Sequence, residues 1–370
     1  MNPFKYGTIV YGSDFCGRKK LVSQLSEFIK SGQNVAVHGE RRVGKSSLIQ
    51  ETTLRLKNFR PLFIDLMEVK GIDDLCKRIL RAFIISESKA GFLEKTLKQL
   101  TRLRPVVSAD PITGELKLSL DASQEFSVES ISEVLSLIEK QARTKKIIVV
   151  LDEFQDILNL SNWKEIAAIL RSNIQRQKDI PYVFSGSIRK KMDSLFTDPT
   201  SPFFKSAIPL TVEPLSYEEF APFLIKKFAV GKRVVDERTL KRIFEICDNI
   251  TGDIQQFCEA IWSTTSYRAK INETNIPNAI NLVFAREYRS YEIILAEVTG
   301  FQLKSLSAIA RFKGFSVFSS TFLKKGGFGN ASSLRRALTR LVDLKVLFIY
   351  NGEYRFTNPF FREWIITKSL

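Results

Sequence analysis

The fold is decided by the stretch NVAVHGERRVGKSSLIQETTLRLK, residues 34–57. A short apolar strand pattern ends at His38, the loop GERRVGKS (Gly39–Ser46) follows, and a helical pattern comes directly after it. Glycines at positions 39 and 44 let the chain curl so that backbone N–H groups point at phosphate oxygens beside a helix N-terminus. Strand, loop and helix together predict a phosphate-binding P-loop in an α/β fold.

The residues of this loop have distinct predicted roles. We expect Lys45 to reach the β- and γ-phosphates of a nucleotide, and Ser46 to ligate Mg²⁺ from the first helical turn. The other candidates for nucleotide contact are Gly39, Glu40, Arg41, Arg42, Val43, Gly44 and Ser47. Arg41 and Arg42 have the alternative of facing solvent or another domain. His38 is more typical of a core residue at a strand end than of a catalytic base.

A second motif, KKIIVVLDEF at residues 145–154, supplies acidic groups. Ile147–Leu151 is an unbroken apolar run, typical of a central parallel strand that is buried on both faces. Asp152 and Glu153 follow at its carboxyl end, where ligands bind in such sheets. We expect Asp152 to join the Mg²⁺ shell and Glu153 to act as general base on the attacking water. An acidic pair here can also be a solvated helix start, but the P-loop upstream favours the catalytic interpretation.

A third strand pattern, Tyr182–Ser185, continues into GSIR. At this strand end Ser185 or Ser187 could sense the γ-phosphate beside Glu153, and Arg189 could stabilise charge during phosphoryl transfer. The alternatives are that Ser187 caps the next helix and that Arg189 is a surface residue. The sequence does not decide between these roles for either residue.

The chain divides by pattern into three predicted domains. Residues 1–215 alternate strands with helices, which predicts an α/β/α domain with a parallel sheet and, near residues 105–120, an inserted β-hairpin. The strand candidates in it are Val35–Val37, Leu62–Leu66, Ile147–Leu151 and Tyr182–Ser185. Residues 216–298 show no strand pattern and open with a capping box of Ser216 and Glu219, so they predict a helical lid.

Residues 299–370 have an order of their own. Helical patterns cover Gln302–Lys313, Ser320–Lys325 and Ala331–Val342, with a glycine turn before the third. The run VLFIYNGEYRFT then predicts two strands joined at Asn351-Gly352, a strong hairpin signal. Three helices and a β-hairpin in this order predict a winged helix-turn-helix domain.

Positive charge is concentrated in this last domain. Residues 301–370 hold 12 basic and 3 acidic residues, a net +9 of the whole chain's +16, which favours a polyanionic partner. On the third helix, Leu334, Ala337, Leu338 and Leu341 share the core-facing side, which leaves the basic residues on another. The predicted contacts to double-stranded DNA are Lys324, Lys325, Arg335, Arg336 and Arg340. The alternative is a domain that contacts a protein partner or a second copy of the chain, with its charge merely solvated.

Composition excludes several other classes of protein. The 370 residues contain four cysteines without ligand-pair spacing and one histidine, so a zinc site is not predicted. The apolar runs are too short to cross a membrane, and the N-terminus lacks a signal-peptide pattern, so we expect a cytoplasmic protein. No N-K-x-D motif for guanine occurs, so ATP rather than GTP is the expected nucleotide.

Several segments together resemble a known family. These are FCGRKKLVSQL, VHGERRVGKSSLI, VVLDEFQ, YVFSGSIRKKM, SPFFKSAIPLTVEPLS and NPFFREWI, which span nearly the whole chain. They resemble the archaeal-type ATPases, a branch of the STAND division related to AAA+ proteins. The resemblance implies an α/β/α nucleotide domain, a helical lid and a C-terminal winged helix, and we expect a Mg-ATP-dependent switch with slow hydrolysis. It also implies that Phe15–Arg18, with Gly17 and Arg18 as contacts, lies near the adenine.

The lid departs from the pattern of these relatives at one motif. STAND relatives carry Gly-x-Pro there, and AAA+ initiators carry Gly-Asp-x-Arg with an arginine that senses phosphate. This chain reads NITGDIQQF, so Gly252-Asp253 is kept while Ile254 and Gln255 replace the proline and the arginine.

Overall fold

A computed structural model describes residues 1–86, 105–109, 116–120, 126–187 and 189–368. The chain forms two compact units, which we call the N-terminal unit (residues 9–213) and the C-terminal unit (residues 1–8 and 214–370). The residues of the predicted lid and those of the predicted winged helix therefore fall in the same compact unit.

The N-terminal unit is built on a parallel sheet. Its described helices are α1 Lys19–Lys30, α2 Lys45–Arg55, α3 Ile72–Ser86, α4 Val128–Ala142, α5 Trp163–Arg176 and α6 Arg189–Phe196. Its described strands are β1 Val35–His38, β2 Phe59–Asp65, β3 Pro105–Ala109, β4 Leu116–Leu120, β5 Lys146–Asp152, β6 Tyr182–Gly186 and β7 Ile208–Thr211. Five of them form one sheet in the order β2-β5-β6-β1-β7 with every pair parallel, so the predicted α/β class is confirmed.

The centre of this sheet is buried on both faces. Every residue of β1 and β6 is buried, and so is the run Ile147–Leu151 of β5. Successive strand residues point to opposite faces, so the apolar runs are in contact with packed side chains on each side. Phe154, Phe184 and Phe203 lie in the core with ring centroids 4.7–5.5 Å apart.

One strand of the sheet was absent from the sequence-based candidates. Strand β7 pairs with β1 along the edge of the sheet and contains Pro209. Proline lacks a backbone N–H and occurs in sheets mainly on edge strands, so the short segment IPLT gave a weak strand signal. The two runs of the predicted hairpin, β3 and β4, are paired antiparallel. Residues 110–115, which would form its turn, lie outside the described residues.

The C-terminal unit is mainly helical. Its helices are α7 Tyr217–Ala229, α8 Glu237–Ile246, α9 Thr251–Thr264, α10 Ile276–Glu297, α11 Gly300–Phe312, α12 Ser320–Gly326, α13 Ala331–Asp343 and α14 Pro359–Lys368. Its strands are β8 Val234–Val235, β9 Lys270–Ile271, β10 Leu347–Tyr350 and β11 Glu353–Phe356. The short parallel pair β8–β9 corrects the expectation that no strand interrupts residues 216–298. Two residues are too few to give a readable period.

The winged helix has the predicted layout. Leu334, Ala337, Leu338 and Leu341 are all buried on one side of α13, as their spacing indicates. Strands β10 and β11 pair antiparallel with Tyr350 opposite Glu353, and the turn residues Asn351 and Gly352 both have positive φ. Such a turn matches the twist of the flanking strands.

Candidate functional site

Three neighbouring strands carry the predicted site residues to one edge of the sheet. Strand β1 leads into the P-loop, β5 ends at Asp152, and β6 lies between them and ends just before Ser187. Because all three strands are parallel, their carboxyl ends meet at the same edge. The structure thus brings the loop, the acidic pair and the serine together.

The P-loop depends on glycine at two positions for different reasons. A Cβ at Gly39 would lie 2.2 Å from the carbonyl oxygen of Val212, so no side chain fits there. Gly44 has φ of +96°, a conformation that glycine adopts without steric cost. Val43 is buried, whereas Arg41 and Arg42 are exposed. Exposure of both arginines agrees with the alternative that they face solvent.

Lys45 is buried at the start of α2. Its Nζ donates hydrogen bonds to the carbonyl oxygens of Gly39 (3.2 Å) and Glu40 (2.7 Å). Burial lowers the pKa of Lys45 to about 8, although the charges of Glu153 and Asp152 act in the opposite direction. The site therefore holds an ammonium whose charged form would be stabilised by an incoming anion.

This lowered pKa of Lys45 would make binding of a nucleotide proton-linked. Free protein above pH 8 has lost much of the Lys45 proton, and bound phosphates would raise the pKa back toward its ordinary 10.5. We expect ATP binding to take up close to one proton at pH 9 and almost none at pH 7. Titration calorimetry in two buffers of different ionisation enthalpy measures this uptake. Equal enthalpies in both buffers at pH 9 would contradict the linkage.

Ser46 and Asp152, the two predicted Mg²⁺ ligands, are in direct contact. The Ser46 hydroxyl donates to Oδ2 of Asp152 over 3.0 Å, and Asp152 Oδ1 accepts from the backbone N–H of Glu153. Within the described residues, no group of three or more histidine, cysteine or acidic side chains could hold a metal ion. Mg²⁺ characteristically uses one or two protein oxygens and completes its shell with phosphate and water, so this pair fits it.

Glu153 follows Asp152 with a left-handed φ of 50°. Its Oε2 accepts a hydrogen bond from the Ser187 hydroxyl over 2.7 Å and another from the Gln155 amide over 2.5 Å. Ser187 therefore contacts the candidate base. Gln155 is a site residue that the sequence did not single out, and its only signal was its place in the DEFQ string. The side chain of Arg189 lies outside the described part of the chain.

The predicted adenine segment contacts the P-loop, and residues that precede it contact α2. The Arg18 guanidinium donates to the carbonyl oxygens of Val43 (2.6 Å) and Glu213 (2.8 Å). These hydrogen bonds connect the P-loop residue Val43 to the segment after β7. Gly17, just before it, has φ of +65°. The Ser47 hydroxyl accepts from the N–H of Val10 (3.1 Å), so the structure uses this side chain to hold the N-terminal segment.

His38 has the structural role that the sequence favoured. It is buried, and its Nε2 lies 2.8 Å from the Thr211 hydroxyl of the neighbouring edge strand. The contact fixes the end of β1 beside the loop.

The predicted DNA-contact residues lie on the surface of the C-terminal unit. Arg335, Arg336 and Arg340 are exposed along α13, and Lys324 and Lys325 are exposed at the end of α12. The guanidinium of Arg335 stacks 4.4 Å from the ring centre of Phe318. We call these five basic residues the basic face. Arg355 on the wing, by contrast, pairs with Glu353 at 2.5 Å.

Comparisons with known proteins agree with this architecture. Residues 29–190 match a family model described as an AAA domain, and residues 289–367 match one described as a probable winged helix domain. A comparison with curated proteins found no match. None of the described helices is both long and apolar enough to span a membrane.

Solved structures of similar fold extend over nearly the whole chain. A Walker-type ATPase of Pyrococcus abyssi is similar over 98% of this chain and 99% of its own, with 17% identity and a TM-score of 0.67. The ORC2 protein of Aeropyrum pernix, in ADPNP-ADP complexes, is similar over 99% and 98%, with 12% identity and a TM-score of 0.50. The ORC1 protein of the same organism, in complex with DNA, is similar over 97% and 96%, with 10% identity and a TM-score of 0.52. The two family matches and these similarities of fold agree with a P-loop α/β fold followed by a C-terminal winged helix domain.

Proposed function

We propose that this protein is a Mg-ATP-dependent switch that hydrolyses ATP slowly and binds duplex DNA through its winged helix. The ATP-binding part of this proposal rests on one observation. Lys45, the Ser46–Asp152 pair and Glu153 lie together at adjacent ends of parallel strands. The test is ATP turnover by the full chain with Mg²⁺ and with Mg²⁺ chelated. Turnover that survives chelation would contradict the assignment of this site.

Each group has a defined task in that reaction. Backbone N–H groups of the P-loop and the ammonium of Lys45 bind the phosphates, while Ser46 and Asp152 would hold Mg²⁺. The metal ion supplies neutralisation of phosphate charge when bound. Glu153 accepts the proton of the attacking water, and the Ser187 hydroxyl holds its carboxylate in place. ATP is favoured over GTP because no guanine-reading N-K-x-D motif occurs in the sequence.

The quoted motifs support a finer assignment to the archaeal-type ATPases of the STAND division. The segment NPFF, residues 358–361, has a clear structural role in the C-terminal unit. The Asn358 amide donates to Oε2 of Glu287 over 2.6 Å, and that oxygen also accepts from the Tyr291 hydroxyl. Glu287 Oε1 accepts from Gln256. This polar network joins the start of α14 to α9 and α10, so we expect the lid helices and the winged helix to move together.

A second contact strengthens the same junction. The Arg362 guanidinium on α14 pairs with Asp248 and donates to the carbonyl oxygen of Ile246 over 2.9 Å. Burial opposes the charged form of this arginine, but Asp248 and Glu363 together raise its pKa. Both partners are half-buried, so removal of one would leave the other charge partly desolvated and without its partner. A change of the lid on ATP binding would therefore reach the basic face of the winged helix.

Three observations support DNA as the partner. The five residues of the basic face are exposed on two successive elements of a winged helix. A helix in the position of α13 enters the DNA major groove in this class of domain. The structurally similar ORC1 protein was solved in complex with DNA.

Replacing Arg336 and Arg340 together by alanine is expected to weaken duplex binding. Each lost phosphate contact should also flatten the slope of log K against log salt by about one unit. Fluorescence anisotropy with duplex DNA across a salt series measures both effects. The matched control is replacement of Arg238 and Arg242, two exposed arginines four residues apart on α8, which should leave binding unchanged.

Other outcomes of that assay are decisive against DNA. Absence of wild-type binding at low salt, or an unchanged slope in the Arg336/Arg340 variant, would contradict DNA binding and favour contact of α13 with a protein.

The second candidate function is a nucleotide-regulated scaffold or self-associating protein. Exposed apolar residues on the winged helix favour it. Phe315 and Ile349 are each 55% exposed.

A further inference from the structure

We infer that Gln155 is a positioning residue for ATP hydrolysis, which fixes the carboxylate of Glu153 so that Oε1 receives the proton of the attacking water. The inference rests on the proposed function, since it concerns the same reaction. It assigns a role to a buried amide that neither the motifs nor the similarity of fold accounts for.

The amide nitrogen of Gln155 donates hydrogen bonds to two carboxylates. Its Nε2 donates to Oε2 of Glu153 over 2.5 Å and to Oδ1 of Asp156 over 3.3 Å. An amide nitrogen has two N–H groups, and both are used here. The reverse orientation would place the amide oxygen against two negatively charged acceptors, so chemistry fixes the assignment of nitrogen and oxygen.

The surroundings leave this amide little freedom to move. Gln155 is 1% exposed, in the 3₁₀ turn Phe154–Asn159 that begins directly after Glu153. A Cβ at Gly186 would lie 2.3 Å from Gln155 Oε1 and 2.4 Å from the sulfur of Met192. Glycine at the end of β6 therefore makes the space in which the glutamine side chain lies.

The network continues to a third strand end. Oδ2 of Asp156 accepts from the backbone N–H of Glu68, in the turn after β2. The backbone N–H of Leu66, at the same turn, donates to the carbonyl oxygen of Asp152 over 2.9 Å. Gln155 is thus held through Asp156 by the turn after β2, while Glu153 is held by Ser187 after β6.

This arrangement distinguishes the two oxygens of Glu153. The hydroxyl of Ser187 and the amide of Gln155 both donate to Oε2. A partial rotation of the carboxylate would weaken both bonds, while a half-turn merely exchanges its two equivalent oxygens, so the two donors fix the plane of the group. Oε1 is left for the proton of water, and a general base works only within hydrogen-bond reach of the proton it takes. Pre-orientation of this kind lowers the cost of reaching the reactive geometry.

Substitution of Gln155 is expected to lower the rate of ATP hydrolysis without weakening ATP binding. Gln155→Met keeps a side chain of similar length and removes both donors, so we expect kcat to fall about tenfold. The dissociation constant for ATP should stay within about threefold, because Gln155 contacts no predicted phosphate ligand. Gln155→Glu, which has nearly the same shape and places a like charge beside Glu153, should lower kcat at least as much.

A matched control removes a buried amide elsewhere in the same unit. Gln177 donates to the carbonyl oxygen of Leu135 and accepts from the Tyr182 hydroxyl, away from the strand ends. Gln177→Met should leave kcat unchanged in folded protein. If Gln155→Met fails to fold, the isosteric Gln155→Glu decides the question.

A double-variant cycle tests whether Gln155 acts through Glu153. In the Glu153→Gln background, Gln155→Met should cause no further loss of single-turnover rate, because the base is already absent. Wild-type kcat in both Gln155 variants, or a loss that adds fully to that of Glu153→Gln, would overturn the inference while the proposed function stands. Absence of hydrolysis by the wild type would remove the proposed function and this inference with it.

Discussion

Replacement of Lys45 by alanine is expected to weaken ATP binding about 100-fold or more. The buried ammonium donates to two backbone carbonyl oxygens of the P-loop, beside the expected position of the β- and γ-phosphates. Two hydrogen bonds from it to charged phosphate oxygens would contribute about 3 kcal/mol together. Titration calorimetry with Mg-ATP measures the change. Unchanged affinity in a folded variant would show that the phosphate site is wrongly placed.

The fold of this variant should survive. Burial disfavours the charged form of Lys45, which is why its pKa is lowered, so loss of this side chain removes a cost to the native state. We expect a thermal midpoint at least equal to that of the wild type. Lys57→Ala, an exposed lysine just beyond the other end of α2, is the matched control and should bind ATP normally.

Replacement of Glu153 by glutamine is expected to separate ATP binding from hydrolysis. The amide keeps the size of the side chain and an acceptor for Ser187 and Gln155, but it cannot take a proton from water. Loss of a general base lowers turnover by about 10²-fold or more, while the Lys45 and Ser46–Asp152 contacts remain. A phosphate-release assay gives the rate, and calorimetry gives the affinity.

The control for this variant is Glu165→Gln, an exposed glutamate on α5. It removes the same charge from the same unit and should hydrolyse ATP at the wild-type rate. Wild-type turnover by Glu153→Gln would remove Glu153 from the mechanism and leave only the proposed metal-binding role of Asp152.

The sequence predicted the parts of the site that are contiguous in the chain. A P-loop needs its glycines, lysine and serine at fixed spacing, so Gly39–Ser46 could be recognised directly. Asp152 and Glu153 were recognisable because an unbroken buried strand comes before them. Four of the five strands of the parallel sheet, and the winged helix, followed from periodicity and turn chemistry in the same way.

The parts that sequence could not predict depend on contacts between distant segments. The role of Gln155 arises from the left-handed turn at Glu153 and from the space at Gly186, and neither has a periodic signature. The contact of Asn358 with Glu287 joins residues 71 positions apart. Strand β7 was missed because Pro209 is typical of an edge strand and interrupts the apolar pattern.

The central claim is that one chain couples Mg-ATP at the P-loop to duplex DNA at the basic face. The most direct test is steady-state ATP turnover by the full wild-type chain with Mg²⁺, measured with and without duplex DNA at low salt. We predict turnover that depends on Mg²⁺ and changes when DNA is added, with the DNA effect lost in the Arg336/Arg340 double variant. Turnover that is absent in both conditions, or identical with and without DNA under saturating binding, would contradict the account.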